Sequence, residues 1–361
     1  MFDYAERTGV LGGPETRYLW TDAFAVCNFL GMASHDERAR GLALRLVDAV
    51  HHTLGRHRPD DPRRGWISGL PEAKGEQHPT AGGLRIGKPY PELAEQHGPD
   101  PLEWDRDGQY FHYLTKWMWA LDRVAHALRQ PHFNRWAREL AQVAFDRFSR
   151  PKGGRQLAWK MSIDLARPVV PSAGQHDALD GFLTFSHLRT TAEDLGRAGE
   201  IPDLSHETEQ LEAMIDPERL VTEDPLGIGE LLVDAWRRRL VTVRVKNAAS
   251  APRDLLLEWM LESAVEGLRA FQVESPPHRL AFRELGLCIG MRAIESLEAM
   301  DLAPSTRSVL GEVRSFEPLS RATEVFWLEP AARGQASWFE HRDINEVMLA
   351  TALAPEGFLG G

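Results

Sequence analysis

Two adjoining stretches decide the fold class: Tyr18-Leu19-Trp20-Thr21-Asp22-Ala23-Phe24-Ala25-Val26-Cys27-Asn28-Phe29-Leu30-Gly31-Met32-Ala33, and, after Ser34-His35, the run from Asp36 to Leu54. The first is apolar on nearly all sides, as expected of a helix covered on every face. The second is amphipathic: Leu42, Leu46, Ala49 and Val50 form one stripe, with Arg38, Arg45 and Asp48 outside it. A buried helix followed by a covering helix is the unit this pattern predicts.

The unit recurs along the chain. Residues 109–128 are rich in aromatics and are followed by an amphipathic 132–148; the same order appears in 178–190 with 205–214, 228–240 with 252–271, and 280–297 with 304–313. A last inner candidate, 344–353, has no partner before the chain ends. The N-terminal segment is available to cover that gap. Only Leu240-Val241-Thr242-Val243-Arg244-Val245 reads as a strand. Turns from inner to outer helix are short, whereas the outer-to-inner connections 55–106, 150–176 and 314–341 are long. In a ring of antiparallel hairpins the long loops share one rim, at the N-termini of the inner helices. Loops of that length in a compact domain tend to be functional or disordered, and the Gly-, Pro- and His-rich 55–106 segment fits an ordered rim loop or lid. The expectation is an all-α chain, with 1–361 as one domain.

Composition narrows the function. A net charge of -11 argues against a nucleic-acid protein, whose phosphate contacts need a basic footprint. There is no run of 18 apolar residues, and the start Met1-Phe2-Asp3-Tyr4-Ala5-Glu6-Arg7 has neither a basic region nor an apolar core. Two cysteines, Cys27 and Cys288, are too few for a disulfide framework and read as buried free thiols. A cytoplasmic enzyme without nucleic-acid or membrane partners is therefore expected, with its oligomeric state open. His51-His52 and His57, at the end of an outer helix, are expected to be solvated.

The inner-helix entrances carry the chemistry. They read Tyr18-Leu19-Trp20-Thr21-Asp22; Glu103-Trp104-Asp105-Arg106-Asp107-Gly108-Gln109-Tyr110; Gly174-Gln175-His176-Asp177-Ala178-Leu179-Asp180; Glu223-Asp224-Pro225; His278-Arg279-Leu280-Ala281-Phe282-Arg283-Glu284; and Trp338-Phe339-Glu340-His341-Arg342-Asp343. One Asp suffices to cap a helix, and Asp224 before Pro225 and Asp22 are read first in that way. The other clusters exceed what capping needs. Alternating helices with Trp- and Asp-containing entrances resemble the six-hairpin, or (α/α)6, toroid superfamily, which includes many glycoside hydrolases, some polysaccharide lyases and the N-acylglucosamine 2-epimerase group. The resemblance is architectural and spans nearly the whole chain. It implies catalytic groups in a bowl at the inner-helix mouths, with a last hairpin that is incomplete here. No family signature matches residue by residue, so no catalytic assignment is carried over.

Crowded carboxylates have their pKa values pushed apart, which suits general acid/base work. The catalytic candidates are Asp107 and Asp177, with Asp105 and Asp180 behind them and His176 or His341 as proton shuttle. In glycoside hydrolysis a carboxylate gap of about 5 Å implies retention and about 6.5–9.5 Å inversion. Trp20, Trp66, Trp104 and Trp338 are expected as sugar-stacking walls, with Asp22, Gln109, Tyr110, Gln175, Glu284 and Asp343 as further substrate contacts. Arg17, Arg85, Lys88, Arg106, Lys160, Arg167, Arg283 and Arg342 are the rim cations, which would select an anionic substrate such as a uronate or sugar phosphate.

The leading expectation is a carbohydrate-metabolism hydrolase acting through paired carboxylates on a short or anionic saccharide. A histidine-dependent sugar epimerase or isomerase, a lyase or dehydratase, and a non-catalytic binding protein are the alternatives. No cofactor is implied. A divalent metal on His176, Asp177, Asp180, His341 and Asp343 is a competing use, without any His-x-x-x-His or Cys-x-x-Cys spacing. Residues 82–88 lack the Walker spacing, and Lys160-Met161-Ser162-Ile163-Asp164 has the wrong order for a Ser-x-x-Lys element.

Overall fold

A computed structural model describes residues 1–93, 100–149, 156–170, 172–245 and 253–360. Residues 94–99 of the first long connection, 150–155 and 171 of the second, and the expected helix start at Pro252 lie outside the described residues. The chain divides into two compact units, residues 2–215 and residues 216–361, the second also taking in Met1.

The first unit contains α1 (Phe2–Arg7), α2 (Leu19–Met32), α3 (Glu37–Leu54), α4 (Glu72–Gln77), β1 (Gln109–Tyr110), α5 (Phe111–Leu128), α6 (Pro131–Phe148), β2 (Lys160–Met161), α7 (Asp177–Asp194) and α8 (Ser205–Glu212). Helix α2 is buried continuously from Leu19 to Phe29, as its uniformly apolar sequence demands. It packs on α3 and α5, while α5 packs on α6 and α7, and α7 on α8. The covering helix α3 starts at the Asp36 cap, whose carboxylate accepts the Arg38 amide, and lays Leu42, Leu46, Val50 and Leu54 inward. Each such buried side chain contributes about 1.5–3 kcal/mol.

His51 also lies on that stripe and is buried, contrary to the solvated position expected. Its Nε2 accepts the Trp117 indole N–H at 3.2 Å, and the Trp117 and Trp136 rings meet it edge-on. Burial first, then the neighbouring His52, pulls its pKa down to about 3.

The α5–α6 turn closes with Arg129 in the left-handed region and Pro131 opening α6. Between α5 and α7 the seam is polar. Lys116 Nζ meets Asp180 Oδ2 at 2.9 Å, and further along Asp122 accepts Thr191 Oγ1 at 2.8 Å with His187 Nε2 3.4 Å away. Asn134 of α6 joins this group through Asp122 Oδ1 at 2.7 Å.

The second unit contains α9 (Pro225–Val245), α10 (Leu255–Ala270), α11 (Ala281–Glu298), α12 (Pro304–Arg314), α13 (Glu317–Leu328), α14 (Pro330–Arg333), α15 (Ala336–Glu340), α16 (Arg342–Leu353) and α17 (Glu356–Leu359). Helices α9 and α11 cross at glycines: a Cβ on Gly229 would fall on the Gly286 carbonyl, and one on Gly290 would strike Gly229 backbone. Only residues without a side chain permit backbones this close. Helix α11 also packs on α13 and α16.

Two expectations are corrected here. The 240–245 run is the last part of α9, not a strand. Residues 314–341 are not a long loop, since they carry α13, α14 and α15. The 55–106 connection holds α4 and a short 3-10 turn at Glu103–Asp105. Among the described residues no helix is long and apolar enough to cross a membrane.

Candidate functional site

The mouth of α5 in the first unit gathers the chemistry. Strand β1 pairs antiparallel with β2, Gln109 opposite Met161 and Tyr110 opposite Lys160. That pairing sets Tyr110, His112 and Tyr113, at the start of α5, beside Trp159, which precedes β2. The His112 ring has Tyr113 at 4.8 Å, Tyr110 at 5.4 Å, Trp20 at 6.1 Å and Trp159 at 6.4 Å between centroids. Trp104, half exposed, extends the wall by contacting Trp159 at 5.2 Å. Tyr18 and Tyr113 share a hydroxyl–hydroxyl hydrogen bond of 2.6 Å. The result is a cluster of aromatic rings around one imidazole, the aromatic cup, in which Trp20 and Tyr110 are each only 5% exposed.

Asp177, the first residue of α7, brings its Oδ1 to 3.8 Å from His112 Nδ1, with side chains 7% and 23% exposed. Its helix-terminal position favours the anion. Gly174 leaves the space for it, because a Cβ there would lie inside the Asp177 carboxylate. One turn deeper along α5, Lys116 pairs with Asp180 and its Nζ stands 5.9 Å from the Trp20 ring. An acid and a base at ion-pair distance in a stacking cup can exchange a proton with a ligand, and catalytic hydrogen bonds commonly tighten when one binds. Burial raises the Tyr18 pKa, against the opposing hydrogen bond to Tyr113, and burial raises that of Tyr110. Both phenols are therefore donors at neutral pH.

Several of the residues singled out in the sequence build this cup rather than line it. The Asp107 side chain is fully buried. Its Oδ2 takes the Arg85 guanidinium and lies 3.3 Å from that of Arg58, while its Oδ1 accepts the amides of Gly87 at 3.0 Å, Gly108 at 3.1 Å and Lys88 at 3.4 Å. Both oxygens are occupied, so Asp107 is a clamp on the 85–90 segment. Arg85 spends its other N–H groups on the carbonyls of Arg56 and Thr53. Gln109 accepts the Leu84 amide and donates to the carbonyls of Gly82 and Ile163. Asp22 receives Tyr4, Arg17 and the Tyr18 amide, and so caps α2. Asp180 is held by Lys116 and Thr115. Trp66 is buried under Arg56 against Gly75, away from any sugar-stacking position.

The rim cations are largely neutralised as well. Arg17, Arg106 and Lys160 pair with Asp22, Asp100 and Glu103, and Arg167 donates to the Leu93 carbonyl. Of the first-unit candidates, Trp20, Lys88, Trp104, Asp105, Tyr110 and Asp177 remain around the cup. Asp105 is exposed, His176 is half-buried as the residue before α7, and Gln175 is exposed.

In the second unit Glu284 accepts three hydrogen bonds from Arg279, one on Oε1 and two on Oε2, and one from the Trp327 indole at 2.8 Å, a buried structural knot. Arg283 pairs with Asp224 at 2.6 Å, and Asp224 Oδ1 accepts the Leu226 amide at the start of α9. Arg279, Arg283 and Glu284 line a cavity of about 470 Å³ together with Glu223, Phe271 and His278. Trp338 is buried against Trp327, Arg342 pairs with Glu346, and Asp343 lies in the first turn of α16. His341 is exposed and meets Phe282 edge-on at 5.4 Å. Among the described residues no group of three or more His, Cys, Asp or Glu is arranged to hold a metal ion.

Sequence reading missed His112, Tyr113 and Trp159. His112 sits in an aromatic run that reads as core, and the available signal was its place directly after the Asp107-Gly108-Gln109 entrance.

No protein-family model and no curated protein matches the chain. Among solved structures it is similar to the cellobiose 2-epimerase of Spirochaeta thermophila, with a TM-score of 0.50 and 14% identity over 94% of this chain and 89% of that one. At that identity the likeness speaks to fold alone. The chain is all-α and shares the fold of that structure, in line with the toroid expected from its alternating helices.

Proposed function

We propose that the protein is a saccharide-converting enzyme whose general acid/base is His112, positioned by Asp177 in the aromatic cup. The carrying observation is the His112–Asp177 pair enclosed by Trp20, Tyr110, Tyr113 and Trp159. Aromatic faces suit the apolar C–H faces of sugar rings. The reading favoured is epimerisation or isomerisation. His112 removes the proton from the carbon next to the carbonyl of an open-chain sugar, the electron pair moves to the carbonyl oxygen, and the Tyr18–Tyr113 hydroxyls donate hydrogen bonds to the enediolate. Return of the proton to either carbon or face completes the turnover, with no other reactant consumed. Kinship of fold with an epimerase is compatible with this but does not carry it.

Glycoside hydrolysis is the second reading, supported by Asp105 and Asp177 both standing at the cup, whereas Asp107 and Asp180 are tied up in ion pairs. The experiment is incubation with D-glucose, D-mannose, D-glucuronate, N-acetylglucosamine and cellobiose in D2O, followed by NMR. An enediolate route places solvent deuterium at C2. His112→Asn should lower that exchange by roughly a hundredfold or more. Release of new reducing ends without deuterium at C2 would replace the favoured reading by hydrolysis, and no conversion of any sugar would leave a binding protein. We further propose that residues 1–361 work as one catalytic domain in the cytoplasm; a single calorimetric unfolding transition is expected, and two separated ones would refute the single domain.

A further inference from the structure

Lys88 stands apart from every other cation named around the cup. Its backbone is fixed: the amide donates to Asp107 Oδ1 at 3.4 Å, and the carbonyl accepts Arg58 Nη1 at 2.7 Å. Its ammonium lies 5.5 Å from the centre of the Tyr18 ring. Neighbouring cations are spoken for, Lys160 by Glu103, Arg85 and Arg58 by Asp107, and Lys116 by Asp180. Among the described residues Lys88 alone of these has no carboxylate within ion-pair distance and no side-chain hydrogen bond. The chain thus holds a half-buried ammonium at the cup on a fixed stretch of backbone and leaves its three N–H donors to solvent or ligand.

Resting on the reading of the cup as a saccharide site, we propose that Lys88 is a specificity-determining residue that selects a sugar bearing a single carboxylate, such as a uronic acid. A half-buried ammonium is short of hydration, and an incoming carboxylate restores its electrostatic partner. Burial lowers the Lys88 pKa, opposed by Asp105, which is what an ammonium awaiting a counter-charge should show. One carboxylate is favoured over a phosphate dianion by local charge. Asp105 and Asp177 already stand at the cup, and among the described residues the other cations named around it are already paired with carboxylates.

The test is titration of intrinsic tryptophan fluorescence with D-glucuronate, D-glucose and D-glucose 6-phosphate, since Trp20, Trp104 and Trp159 report on the cup. Wild type should bind glucuronate roughly ten- to a hundredfold more tightly than glucose, as one charge-assisted hydrogen bond implies. The preference should shrink as salt is raised. In Lys88→Met it should collapse to less than about twofold, and Lys88→Arg should restore much of it. A preference that survives in Lys88→Met, equal affinities in wild type, or tighter binding of glucose 6-phosphate each overturns the proposal. Failure here is distinguishable from failure of the parent reading: glucose binding that depends on Trp159 sustains the cup without the anion, whereas no response to any of the three sugars removes both.

Discussion

Replacing Asp107 by Asn separates a structural carboxylate from a catalytic one. In the folded protein Oδ1 accepts three backbone amides, while Oδ2 faces the guanidiniums of Arg85 and Arg58. An asparagine that keeps its carbonyl on the amides must point its NH2 donors at two guanidiniums; flipped, it sets donors against three N–H groups. Neither orientation is satisfied, and the Arg85 side chain, only 6% exposed, is left without a counter-charge. Removing one partner of a buried pair costs about 3–5 kcal/mol. For a unit the size of residues 2–215, each kcal/mol shifts Tm by about 2–4 °C, so the expected fall is on the order of 10 °C. Scanning calorimetry on Asp107→Asn beside Asp177→Asn, at one scan rate, measures it. Asp177→Asn should melt close to wild type and lose turnover. If Asp107→Asn melts within about 2 °C of wild type yet is inactive, the clamp assignment is wrong.

Other outcomes follow from burial. Because the folded pKa of His51 is depressed to about 3, the unfolded chain alone takes up this proton as pH falls. The contribution to stability is full above the unfolded value of about 6.5 and is lost between there and about 3, by at most about 1.4 kcal/mol per pH unit. Urea unfolding between pH 7 and 5 should show a shallower loss in His51→Gln than in wild type, and equal slopes would refute it. Glu284→Gln should destabilise the second unit by about 3 kcal/mol, since Arg279 loses its buried partner, without changing sugar affinity in the fluorescence titration; unchanged unfolding would count against the knot. Burial pushes the Cys288 thiol up to about 12, so iodoacetamide at pH 8 should modify it only after denaturation, and rapid labelling of the native protein would contradict the packing around it.

The helices were legible because their apolar spacing is set by burial, and α2, α3, α5 and α6 fall where that spacing puts them. The strand reading of 240–245 failed because β-branched residues express a preference that a helix already propagating from Pro225 overrides. Residues 314–341 were expected as a long connection, yet Pro318 and Pro330 within them stand at helix starts, where proline is at home. His51 was legible in principle, lying between Val47, Val50 and Leu54 on the buried stripe. For the site, the sequence points to the α5 entrance, but to its carboxylates Asp105 and Asp107 as the catalytic groups. Asp107, Arg85 and Glu284 are the kinds of residue that do chemistry, and only tertiary partners reveal them as scaffolding. His112 was hidden by the opposite effect, a titratable group inside an aromatic run.

The polar seam between α5 and α7 has a consequence for precision. Two helices joined by interchangeable leucines can slide by a turn, about 5.4 Å, and find new knobs and holes of nearly equal quality. The rungs here are unlike one another: His112 with Asp177, Lys116 with Asp180, Asp122 with Thr191 and His187. Sliding by one turn would set every ion and hydroxyl against the wrong neighbour. The seam is keyed like a lock, and the separation of imidazole and carboxylate at its open end is held by teeth far down the shaft.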